Sequence, residues 1–165
     1  MTSDKNEAAP RPAPQPVARA AAVAAPGNVA VAVVATVAGV WKLVGGSMRD
    51  SGGRSVGVPY GPRGMGLVSL TSDGRMMAVL IDGRADLPEG ARREYSSYCG
   101  NYTFDGTTLI TTVDAASDPA RLASQQVRKV RFEGERMILV PPEREEGGVR
   151  IHRELIWERI SPVSL

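Results

Sequence analysis

Three short turns, each pairing glycine with an acidic residue, constrain this chain more than any other feature. They are Ser72-Asp73-Gly74, Asp105-Gly106 and Glu133-Gly134-Glu135. Glycine reaches positive φ at no steric cost, so such a turn between short alternating apolar–polar runs marks a β-hairpin. Those runs are present as 64–71 with 75–81, 98–104 with 107–113, and 125–132 with 136–140. A run at 40–47 precedes them and one at 149–160 follows, which makes eight strands joined in sequence order. The 18 glycines and 12 prolines agree with many turns and few long helices. An open meander of eight strands leaves two exposed edges, and closure into a barrel removes them. The expected fold is all-β: an eight-stranded antiparallel up-and-down barrel. Its bore can be filled by side chains or hold one small ligand.

Residues 1–28 stand apart. They carry five prolines (Pro10, Pro12, Pro14, Pro16, Pro26) among alanines and almost no large apolar side chains. Such a stretch cannot bury enough surface to offset its ordering entropy, so it reads as a disordered tail. Residues 29–38 form an alanine–valine block broken only by Thr36. This block is expected to cover one barrel end, as a helix or an extra strand, with the barrel domain spanning 39–161. It falls far short of the roughly 20 apolar residues of a membrane helix, so no membrane partner is expected. As a secretory leader it is poor, because Asp4 and Glu7 flank Lys5 and the apolar block begins late. The expected location is cytoplasmic.

Composition removes several function classes. With 20 basic and 18 acidic residues the net charge is +2, too small to suggest a nucleic-acid partner. Strand geometry also splits Arg128 from Lys129 and Arg131, and Glu133 and Glu135 follow closely. One cysteine excludes an internal disulfide, and one histidine with one cysteine supports no metal site. The glycine-rich stretch 57–66 lacks the Gly-Lys-Ser/Thr of a phosphate-cradling loop, so no cofactor is expected. No Ser/His/Asp or Cys/His constellation is available. Asn101-Tyr102-Thr103 matches a glycosylation sequon but lies inside a strand and matters only on an exported chain.

Alternation assigns faces, because residues two apart on a strand share one. Trp41 and Leu43 face together on the first strand. On the last, Ile151, Leu155 and Trp157 share a face with Arg153 and Arg159, and His152, Glu154 and Glu158 lie opposite. Tyr98, Gly100, Tyr102 and Phe104 share a third face, from which Cys99 points away as a small filler. These aromatic residues either wall a cavity, with hydroxyls to orient a ligand, or serve as core with hydroxyls bonded to backbone. Gly100 leaves room for a close approach. Gln126, Arg128, Val130 and Phe132 share a fourth face. An inward arginine needs an anionic or carbonyl partner. Arg128 and Arg153 therefore grip a ligand's carboxylate or enolate, pair with an internal carboxylate, or reach the rim.

The runs Gly39-Val40-Trp41-Lys42-Leu43-Val44, Tyr60-Gly61-Pro62-Arg63-Gly64 and Leu67 through Asp73-Gly74-Arg75-Met76 resemble successive blocks of the lipocalin-like domain family. So do Tyr98-Cys99-Gly100-Asn101-Tyr102, Gln126-Val127-Arg128 with Phe132 to Met137, and Trp157-Glu158-Arg159. The resemblance covers about residues 37–160. It implies a calyx, with Trp41 stacked on Arg159 to close one end. It further implies binding of a small, mainly apolar metabolite with an oxygen-rich or acidic group, in specialised metabolism. On that reading Tyr98 and Tyr102 line the ligand, and Gln126, Arg128 and Arg153 orient its polar end. The alternative is a cofactor-free cyclase or isomerase acting on a polyketide-like or terpenoid-like substrate. A third reading is an interaction module using the tail or the 82–95 loop. A homodimer stays open.

Overall fold

Each turn forms where glycine permits it: Gly74, Gly106 and Gly134 all have positive φ, at 86°, 104° and 59°. The computed structural model describes residues 37–161. Within them lie β1 (Gly39–Asp50), β2 (Ser55–Gly57), β3 (Gly64–Leu70), β4 (Arg75–Asp82) and β5 (Tyr95–Phe104). They are followed by β6 (Thr108–Ala116), β7 (Gln125–Glu133), β8 (Arg136–Val140), β9 (Arg144–Glu146) and β10 (Val149–Ser161). The three expected hairpins pair Leu70 with Met76, Phe104 with Leu109, and Glu133 with Arg136.

Closure comes from β1, which pairs antiparallel with β3 on one side and β10 on the other. Trp41 thus lies between Val68 and Arg159. Eight long strands (β1, β3 to β8, β10) form a closed antiparallel barrel, while β2 and β9 add short ribbons to β1 and β10. The fold is all-β, as expected. The differences are local. β1 continues to Asp50 because a bulge after Leu43 lets it keep pairing with β10. β5 begins at Tyr95, opposite Ile81, which shortens the preceding loop. Residues 144–146 pair with β10 yet stay exposed. The expected tail 1–28, and all of the 29–38 block except Val37 and Ala38, lie outside the described residues. Val37 and Ala38 are fully buried.

Alternation fills the bore. On β4, Met76, Ala78 and Leu80 point inward, whereas Met77 and Val79 stand outside. Burying such side chains is worth about 1.5–3 kcal/mol for each large one. Gly100 sits at a bulge where a Cβ would meet the Thr112 carbonyl oxygen at 1.9 Å, so the close approach it permits is that of β6 itself. Outside, cross-strand ion pairs cover much of the sheet, with Arg131 to Glu154 at 3.0 Å and Arg136 to Glu158 at 2.8 Å. The outer face of β3 and β4 carries Met65, Leu67, Met77 and Val79 instead. Among the described residues no helix is long and apolar enough to cross a membrane.

Candidate ligand-binding site

The two ends of the barrel are built differently. At the β3–β4 turn end, the Arg159 guanidinium lies 4.1 Å from the Trp41 ring centroid and donates to the Ala38 carbonyl. The Trp41 indole donates to the Val37 carbonyl at 2.8 Å. Phe132 tilts against the indole at 6.3 Å between centroids. Burial lowers the Arg159 pKa from its ordinary value. Indole and guanidinium thus both find backbone acceptors, and this end is plugged.

At the opposite end lies a cavity of about 70 Å³. Its polar lining is Tyr60, Tyr98, Arg121, Arg128, Arg144, Arg153 and Trp157; Val68, Met76, Ala78, Leu80, Leu139 and Leu155 supply apolar walls. That volume holds about two waters at ~30 Å³ each, and a drug-sized pocket has several hundred Å³.

Three connections roof the cavity. The first brings in Tyr60, whose φ of 61° is uncommon for a bulky residue. Its amide donates to Glu94 Oε2 at 2.8 Å. Gly61 follows at φ 70°, so close to Asp82 that a Cβ would lie 2.9 Å from Oδ2. Asp82 is buried, and the hydrogen-bonded Arg84 guanidinium holds its carboxyl below the usual range. Burial pushes the Tyr60 phenol up, against the opposing pull of its hydrogen bond with Ser96. The second connection is the turn Pro119–Arg121, capped by Asp118, which accepts from the Ala120 amide at 3.0 Å. It sets the Arg121 guanidinium 5.4 Å from the Tyr98 ring centroid. The third contributes Pro141 and Pro142.

Register sorts the inward side chains into layers. Val130, Leu139 and Leu155 lie on one level, because Val130 pairs with Leu139 and Leu139 with Leu155. One step deeper, Trp157 pairs with Met137; one step toward the mouth on β7 and β10 come Arg128 and Arg153. The family model for the lipocalin-like domain matches residues 38–160, from just before β1 to the end of β10. The chain belongs to the lipocalin-like domain family. No curated protein matches it. A lipocalin-like domain suggests small-molecule binding.

Of the residues expected to line the ligand, Tyr98, Arg128 and Arg153 come together in the cavity of this lipocalin-like domain. Tyr102 does not. It is buried toward the plugged end, and its hydroxyl donates to the Thr71 carbonyl at 2.8 Å. Gln126 lies outside the lining; its Nε2 donates to Ser124 Oγ at 3.0 Å and its Oε1 accepts from Arg128 at 3.3 Å. The Arg128 guanidinium otherwise donates to the Val127 carbonyl at 2.7 Å, and no carboxylate among the described residues pairs with it. Arg153 meets Glu146 at 2.6 Å and Glu94 at 4.0 Å through its terminal nitrogens. Its Nε, and the indole nitrogen of Trp157, are buried with no hydrogen-bond partner among the described residues. Parity placed Trp157 inside but did not single it out for a ligand. Tyr60 and Arg121 come from loops; for Tyr60 the adjacent Gly61 was the available signal, and for Arg121 there was none. Among the described residues no cluster of His, Cys, Asp and Glu could hold a metal.

Proposed function

We propose that this protein binds a small, mainly apolar metabolite with an oxygen-rich or acidic group, of the kind handled in specialised metabolism, at the unplugged mouth of the barrel. One observation carries the reading: Arg153 and Trp157 both line one cavity, and each has a buried N–H, Nε and Nε1, with no acceptor among the described residues. Leaving a buried donor unpaired costs about 1–3 kcal/mol, and native interiors rarely leave such groups so. A ligand oxygen recovers that cost. The half-buried Arg128 supplies positive charge without a carboxylate partner, and the leucines between supply an apolar wall. At about 70 Å³ the cavity is small, so a ligand that reaches from Arg128 to Trp157 displaces the side chains between them.

The test is native mass spectrometry of the protein mixed with a metabolite extract. The expected result is a 1:1 adduct that Arg128→Met weakens at least tenfold in a folded protein. An adduct retained in full by Arg128→Met, or no adduct at all, overturns the reading. Release of a compound of unchanged mass and altered retention, in excess over protein, would replace binding with cofactor-free isomerisation.

A further inference from the structure

The layers of the cavity differ in what they leave unsatisfied, and the difference specifies the order of groups along a ligand. Nearest the mouth stand Arg128, which lacks a carboxylate partner, and the orphaned Nε of Arg153. The terminal nitrogens of Arg153 are already met by Glu146 and Glu94, so this arginine offers a hydrogen bond more than a net charge. The middle layer is hydrocarbon, Leu139 and Leu155. The deepest holds the Trp157 indole N–H, in a side chain only 1% exposed. An indole is a donor only and carries no charge. It calls for a neutral oxygen, since a carboxylate there would be buried without a counter-charge.

We infer that the cavity recognises an oxo- or hydroxy-carboxylic acid by two points: the carboxylate on Arg128 and Arg153 Nε at the mouth, and a neutral oxygen, across an apolar spacer, on the Trp157 indole N–H. Four residues of β10 separate the levels of Arg153 and Trp157, about 13 Å along the strand. This rests on the binding reading above and adds the order of groups to it.

The two tryptophans make the test direct, because the Trp41 indole is already bonded to the Val37 carbonyl and serves as the internal reference. Indole and arginine Nε–H signals of ¹⁵N-labelled protein, with Trp157→Phe and Arg128→Gln for assignment, are followed during titration. The probes are 4-oxopentanoate, 6-oxoheptanoate and 8-oxononanoate, each beside its parent acid. For one chain length, the oxo-acid should move the Trp157 indole proton downfield and bind about five- to tenfold more tightly than its parent. Trp41 should not move, and Arg128→Met should weaken both acids at least tenfold. If the arginine signals respond while the Trp157 signal moves equally for oxo-acid and parent, or not at all, the two-point order is wrong and binding stands. If every acid leaves all three side chains silent, both readings fall.

Discussion

Trp41 with Arg159 and Trp157 with Arg153 are the same two residue types used differently in one barrel. The first two stack at the plugged end, while the second two line the cavity, Trp157 one step from the level of Arg159 and Arg153 nearer the mouth. At the plugged end both side chains reach backbone carbonyls and the guanidinium stacks on the indole. In the cavity lining, a buried N–H of each has no acceptor among the described residues. On the proposed reading, indole and guanidinium donors mark structure where they are satisfied and recognition where they are not. A buried aromatic or arginine alone does not distinguish the two roles.

The sharpest way to break this contrast is to shorten each tryptophan in the same manner. Trp41→Phe removes ring volume, a satisfied hydrogen bond and part of the stacking on Arg159, and should cost about 3 kcal/mol of stability. Trp157→Phe removes ring volume and an unsatisfied donor, so the cost should be about 1–2 kcal/mol. Urea midpoints at constant m-value measure both, and equal losses would end the distinction. The arginines come next. Arg159→Met should destabilise by about 2 kcal/mol with acid binding intact, whereas Arg128→Met should shift stability by under about 1 kcal/mol while acid affinity collapses in the same titration. Tyr102→Phe should cost about 1 kcal/mol through the loss of its bond to the Thr71 carbonyl and leave binding unchanged; Tyr98→Phe should change stability less.

The smallest expected effect is alkaline. Burial raises the phenol pKa of both Tyr60 and Tyr102. Folding therefore favours the neutral phenols. Their contribution is whole below the ordinary tyrosine value near pH 10 and is lost as pH rises through the raised folded values. Urea midpoints from about pH 9 to 11 should fall more steeply for the parent protein than for a Tyr60→Phe/Tyr102→Phe variant. Parallel curves would show that neither phenol is linked to folding.

The hairpins were legible in the sequence because local chemistry specifies them: acidic–glycine turns fix three registers, and parity fixes what faces inward. The Trp41–Arg159 plug was legible through the family resemblance. Parity assigns a face, however, and not a depth. Tyr102 shares its face with Tyr98 but lies four residues along β5, about 13 Å toward the plug, and so bonds to Thr71 and misses the cavity. Gln126 shares the face of Arg128 and lies one step beyond it toward the strand end, outside the lining. Tyr60 and Arg121 were illegible as site residues for another reason. They enter from connections, where no period says which way a side chain turns. The ribbons β2 and β9, three residues each, are too short to show any alternation.

The seam between β1 and β10 joins the first barrel strand to the last, with Val40 opposite Ser161. During synthesis β1 therefore emerges with its eventual partner not yet made, and waits on the order of ten seconds at ordinary elongation rates. Until the seam closes, β1 and β10 are open edges on which a second nascent chain can pair as readily as the correct strand. Contacts so distant in sequence also make the closing step slow. The speed with which this one pairing forms therefore bears on how much of the newly made chain escapes aggregation, separately from the strength of the finished barrel.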